Sequence, residues 1–215
     1  MTTTYNKFPE VNVQGYDDHA WQGWAAIHSV LNTRVSAAAK TVLIVDCYPG
    51  VRLEELEQQL VTTLDTALVL NIESARRDEQ ALHELLARNL TDDRVFGVLS
   101  CHHLNEFFDS DKLSQLRQQI DSVAEGLVVV YGPGATLAHP CDVLVYADLP
   151  RWEIQQRMRH DGLGNWGAEN QDEDILRRYK RAFFIEWRVF DRHKTPLLKR
   201  ADYLLDTTVE NHPAM

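Results

Sequence analysis

Long apolar runs, paired cysteines and an excess of positive charge are all missing from this 215-residue chain. No apolar stretch approaches the ~20 residues needed to cross a bilayer. The opening "MTTTYNKFPEVNVQ" lacks the apolar core of a secretory signal. The three cysteines, Cys47, Cys101 and Cys141, are odd in number and far apart, so the sequence suggests neither a disulfide framework nor a C-x-x-C zinc motif. A net charge of −10 argues against nonspecific nucleic-acid binding. There is no internal repeat, no low-complexity tract and no recognisable Ser-His-Asp or Cys-His arrangement. The expectation is a cytoplasmic protein with no membrane or nucleic-acid partner. What is present, 44% apolar and 25% charged residues, is the make-up of a soluble globular chain long enough for a sizeable core.

Charge is unevenly placed. Residues 151–200 carry 12 of the 22 Lys and Arg and 8 of the 32 Asp and Glu, a net of +4 there against −14 elsewhere. Such a segment suits an anionic small molecule, or is a solvated helix face of mixed charge.

Apolar spacing predicts alternating helices and short strands. Strands are expected at 41–45, 67–73 ("ALVLNIE"), 94–100 ("RVFGVLS"), 126–132 ("GLVVVYG"), 142–148 ("DVLVYAD") and 201–207 ("ADYLLDT"). A first helix, capped by Asp17 or Asp18, would put Trp21, Trp24, His28, Leu31 and Val35 on one face. Further helices are expected through "RLEELEQQLVTTL", 78–90, "DKLSQLRQQIDSVAE", 150–160 and from about Glu173 through "ILRRYKRAFFIEWRVFDRHK". In that last helix Tyr179, Phe183, Trp187 and Phe190 follow helical spacing and read as a packed face. Continuously apolar strands between amphipathic helices imply a parallel sheet covered on both faces. Ligands of such sheets bind at the strands' carboxyl ends. Residues 46–50, 132–135 and 148–151 would share that rim.

The turn "DCYPGVRL" (46–53) follows the first strand, where a phosphate loop G-x-x-x-x-G-K-S/T would lie. Asp46 stands at the first glycine, Val51 at the second, Arg52 at the lysine and Leu53 at the magnesium-binding hydroxyl. Three readings stay open: a catalytic loop, an anion site, or a structural turn. An anion site would use the Asp46, Cys47, Tyr48 and Gly50 backbone with Arg52, joined by Arg157 and Arg159 from the end of a helix before the loop "DGLGNWGAENQD". Arg151, Lys180 and Arg181 would extend it across a mobile lid. No metal site is expected, because the adjacent Cys101, His102 and His103 at a strand end do not converge on one ion.

The order of these parts resembles the uridine-kinase-like group of P-loop proteins: the 46–53 loop, "VVVYG", "DVLVYADLPRWEIQQRMRHD" and "ADYLLD". More closely, "VDCYPGV", "RYKRAFFIEWRVFDRHK" and "ADYLLDTT" look like the amino-terminal domain of a bacterial subgroup of class I mannose-6-phosphate isomerases. In those longer proteins a kinase-like domain precedes a zinc-dependent isomerase domain. The resemblance covers most of residues 15–210. It implies a P-loop NTPase (nucleoside-kinase-like) fold, a three-layer α/β/α sandwich with a mainly parallel sheet. It also implies ATP as the candidate cofactor, a sugar phosphate or nucleotide as ligand, and an isomerase domain as partner. The isomerase chemistry belongs to a β-rich barrel whose strand pattern this chain lacks, so isomerisation is not expected of it alone. Against active kinases the chain departs at Arg52, Leu53 and Tyr131, the last standing where a strand-end carboxylate would help hold magnesium. The expected organisation is an arm over 1–15, a kinase-like domain over 16–210 with a lid near 150–175, and a tail over 211–215 that leads to a downstream domain if one follows. The function expected is phosphate-ligand binding by a degenerate kinase-like domain, with an active small-molecule kinase or an isomerase scaffold as alternatives.

Overall fold

The computed structural model describes residue 6, residues 9–35 and residues 39–215. Five parallel strands form one sheet in the order β2-β3-β1-β4-β5. These are β1 (Lys40–Cys47), β2 (Leu68–Asn71), β3 (Gly126–Gly132), β4 (Val143–Asp148) and β5 (Tyr203–Asp206). β1 lies at the centre, paired with β3 from Lys40↔Gly126 to Asp46↔Gly132 and with β4 from Leu43↔Val143 to Cys47↔Ala147. Val42 to Val45 and Val128 to Val130 are buried on both faces, so these strands read as continuous apolar runs rather than alternating ones. Helices α1 (Trp24–Val35), α2 (Leu53–Gln59), α3 (Glu79–Leu90), α4 (Ser110–Ser122), α5 (Arg151–His160), α6 (Ile175–Arg181) and α7 (Trp187–Leu197) complete an α/β/α sandwich. Asp78 and Asp109 cap α3 and α4 by accepting backbone N–H groups.

Three expectations need correction. Residues 94–100 form no strand. The segment runs extended beside α3, where the Val98 N–H donates to Asn89 O and the Asn89 amide donates back to Val98 O. A Cβ on Gly97 would lie 2.6 Å from Asn89 O, so the close approach requires glycine there. A short apolar run does not by itself specify a sheet partner. The first helix begins at Trp24 rather than at the Asp pair; a separate 3₁₀ turn covers Asp17–His19, and Ile27, Leu31 and Val35 form the buried face. The residues of that expected helix at 36–38 lie outside the described residues, as do residues 1–5, 7 and 8 of the expected 1–15 arm. Between α6 and α7 the chain makes a π-helical turn, Ala182–Glu186. The wider turn shifts the helical register, so Trp187 and Phe190 stay buried while Phe183 turns outward. The C-terminal residues are hydrogen-bonded to earlier parts of the chain: Trp21 and Met215 exchange backbone hydrogen bonds, as do Asp206 and Ala214.

Candidate functional site

β1, β3 and β4 deliver their carboxyl ends to one rim, as the parallel pairing requires. Successive side chains alternate across the sheet, so Asp46 and Cys47 face opposite sides. Asp46 is fully buried and faces the turn after β3. Its carboxylate accepts the Gly134 N–H (3.1 Å), the Thr136 N–H (2.9 Å) and the Thr136 hydroxyl (2.6 Å). His193 Nε2 lies 3.0 Å from the same group. A buried charge persists only with such partners. The backbone donors after β3 are therefore taken by the protein's own anion. Gly134 holds φ +88°, a left-handed conformation that presents its N–H to Asp46. On the other side Cys47 is buried, and burial pushes its thiol well above the usual range, so it is no nucleophile.

The 48–52 turn is closed on itself. The Tyr48 N–H donates to Ala147 O, the Val51 N–H donates to Tyr48 O, and Pro49 has no N–H. The Tyr48 ring is buried under Lys194, whose Nζ lies 4.5 Å from the ring centroid, and its hydroxyl donates to Asp191. Burial and the neighbouring Asp191 raise the Tyr48 hydroxyl far above the usual phenol range. Tyr131 is pushed up to about 12, first by burial and then by Glu57. Neither phenol ionises near neutrality.

Beside this turn opens a cleft of about 700 Å³ between residues 50–59, the end of α5 and the 161–164 loop. Gly50, Arg52 and Arg157 all line it. Arg157 does not present its guanidinium to a ligand. It is 2% exposed and donates to Gly50 O, Thr207 O, Thr208 O and Glu153, clamping the turn to the chain after β5. Arg52 is different: its partners Asp161 (2.8 Å) and Glu210 (3.3 Å) are themselves about half exposed. Arg159 does not line the cleft and stacks 5.4 Å over Tyr179. Of the three arginines expected at one anion, the structure leaves only Arg52 with surface partners that a ligand could replace.

The lid region is fixed by buried side chains. Asn165 donates to Arg178 O, Arg178 donates to Leu163 O and Glu173 O, and Arg181 donates to Trp166 O. These buried cations, with Lys180, account for part of the basic 151–200 segment: they hold loops by their carbonyls and form neither an open anion patch nor a solvated face. Trp166 packs against Phe107, Phe108 and Phe190 and donates its indole N–H to Glu73 (2.6 Å). Burial raises the Glu73 carboxyl, opposed by Trp166 and Arg76. Trp166, Thr136 and His193 escaped the sequence reading, because residues so far apart in the chain have no spacing to read. A lone Trp in a Gly- and Asn-rich loop was the one available signal. Among the described residues no group of three or more His, Cys, Asp or Glu is placed to hold a metal ion, and no helix is long and apolar enough to cross a membrane.

Residues 23–215 match a family described as "Domain of unknown function (DUF8485)". The chain belongs to that family. No curated protein sequence matches the chain. Among solved structures, a putative fructose transport system kinase from Silicibacter sp. TM1040 is similar at a TM-score of 0.53 and 15% identity, over 84% of this chain and 98% of that one. A shikimate kinase from Bacteroides thetaiotaomicron (TM-score 0.44, 11% identity, 78% and 87% covered) is also similar. So is a possible uridine kinase from Bacillus stearothermophilus (0.46, 15%, 82% and 95%). The DUF8485 chain thus has an α/β/α sandwich with a mainly parallel sheet, the fold it shares with that putative kinase. At such identities the likeness is one of fold. Nothing in these matches carries the link to a mannose-6-phosphate isomerase, which rests on the sequence resemblance alone.

Proposed function

We propose that this DUF8485 protein is a ligand-binding member of the small-molecule-kinase fold that takes a phosphate-bearing small molecule, a nucleotide or sugar phosphate, in the cleft beside residues 50–53 without transferring phosphate. The carrying observation is Arg52, a cleft-lining guanidinium held by Asp161 and Glu210 at the surface. A phosphate can replace those two carboxylates with a bidentate contact at small cost, because exposed ion pairs contribute only about 0–1 kcal/mol each. Arg157 acts beneath it as the positioning residue that fixes Gly50. Transfer is disfavoured by the residues themselves: Arg52 is a wide fork in place of a lysine's point charge, Leu53 has no hydroxyl for magnesium, and β3 ends in Tyr131 rather than a carboxylate.

The second reading is an active small-molecule kinase with an unusual loop, and the shared fold with a putative fructose transport system kinase favours it. One thermal-unfolding panel separates the two: ATP with magnesium, ATP with EDTA, and several hexose phosphates. A ligand at about 100 times its Kd adds roughly 2.7 kcal/mol, which raises the midpoint by roughly 5–10 °C in a chain of this size. A shift with hexose phosphate, or with ATP regardless of metal, and its loss in Arg52→Glu, is the expected result. A shift that requires both ATP and magnesium points to the kinase. Unaltered affinity in Arg52→Glu removes this cleft from the site.

A further inference from the structure

A second cavity, of about 490 Å³, lies between the 104–107 turn, the 135–137 turn and the end of α7. Its ionisable lining is His103, Arg192, His193 and Arg200, with no Asp or Glu. On a chain of net charge −10 that is a local reversal of sign. It also contrasts with the first cleft, where Glu54, Glu55, Asp161 and Glu210 accompany two arginines. Low-dielectric walls lined by one sign of charge focus the field on an oppositely charged ligand.

The cavity is built rather than incidental. Thr136 and His193 line it, their Oγ1 and Nε2 3.2 Å apart, and both are fixed from behind by the fully buried Asp46. Arg192 lines it too and is held in place, its guanidinium donating to the Ser100 and His102 carbonyls. Arg200 makes no ion pair and no side-chain hydrogen bond among the described residues. Leu137, Val189 and Leu197 supply an apolar wall. Size and lining, a mainly apolar wall with a few converging polar groups, are those of a small-ligand site.

We propose that this cavity binds a small organic anion, its charged group among Arg192, His193 and Arg200 and its apolar body against Leu137, Val189 and Leu197. None of these residues takes part in the Arg52 cleft, so the two sites stand or fall separately.

Calorimetric titration of the whole chain with phenyl phosphate, benzoate and inorganic phosphate tests this. Phenyl phosphate or benzoate should bind at least tenfold more tightly than inorganic phosphate, because only they reach the apolar wall; the stronger of the two names the anionic group preferred. Arg200→Glu replaces an exposed side chain and should weaken binding at least tenfold. Arg52→Glu should leave it unchanged. The proposal is overturned if none of the three probes binds, if inorganic phosphate binds as tightly as phenyl phosphate, or if affinity survives Arg200→Glu. Loss in Arg52→Glu with retention in Arg200→Glu would place the ligand in the other cleft and equally overturn it.

Discussion

Arg157 shows how a residue that reads as a ligand contact can be a structural clamp. Its guanidinium donates to three carbonyls and to Glu153 from a position that is almost wholly buried. Arg157→Ala should cost about 3–5 kcal/mol, because Glu153 and the carbonyls lose their partner. The unfolding midpoint should fall by roughly 10 °C. Arg157→Lys should recover only part of that, since a point donor cannot span three acceptors. A fall of less than 2 °C in the alanine variant would show that the clamp is dispensable. Glu186 offers a second test. Burial pushes its carboxyl up to about 7, against the opposing pull of Arg181 and Asn165. The native state holds this proton more tightly than the unfolded chain does. The group's contribution is therefore full below about pH 4.5 and lost as pH rises through about 7. Glu186→Gln removes the titration, so wild type minus variant stability should fall by on the order of 3 kcal/mol between pH 4.5 and 7.5. Urea titrations at the two ends measure it, and a flat difference would mean that Glu186 does not titrate in that window.

At the scale of elements, the π turn between α6 and α7 organises the region over the rim. By inserting a wider turn it aligns Arg181 with Glu186, five residues on, and Arg181 in turn holds Trp166 O. Arg178 and Asn165 tie the rest of the 162–174 loop to the same helix. A loop fixed by buried donors opens rarely, so it should resist proteolysis under native conditions. Arg178→Ala leaves Leu163 O and Glu173 O without that donor and should make the 162–174 segment the first site of limited proteolysis, read by mass spectrometry. Cleavage elsewhere at an unchanged rate would count against the loop being held this way. The fixed geometry also explains why aromatic spacing alone misplaced Phe183: a periodic reading assumes one helical pitch from Tyr179 to Phe190, and the π turn breaks it.

Over the whole molecule, residues 21–23 and 213–215 meet beside β5, at the edge of the sheet. Five backbone hydrogen bonds join Trp21, Gly23 and Asp206 to residues 213–215. At a net ~1 kcal/mol each, deleting 211–215 should cost about 5 kcal/mol. Chemical denaturation of the truncated chain checks this, and a loss under about 1 kcal/mol would show the closure to be peripheral. The parallel sheet, the alternation of strands and helices, and the rim shared by residues 46–50, 132–135 and 148–151 were all legible, because a strand covered on both faces must be apolar throughout. The 94–100 segment was not legible. Its apolar pattern equals that of a strand, and only the position of Asn89 and Phe184 gives its backbone a partner outside the sheet.

The sequence by itself determined local terms: the segments that became the five strands and most of their covering helices, and the absence of a lysine and a hydroxyl at Arg52 and Leu53. Those follow from neighbours within a few residues. Only the tertiary structure decided which charges are available. Arg157, Arg178 and Arg181 were drawn inward to satisfy loop carbonyls, and Asp46 was turned to the donors after β3. Arg192, His193 and Arg200 were gathered around a cavity free of carboxylates. A side chain's charge is written in the sequence, but its electrostatic role depends on burial and on partners that can lie more than a hundred residues away.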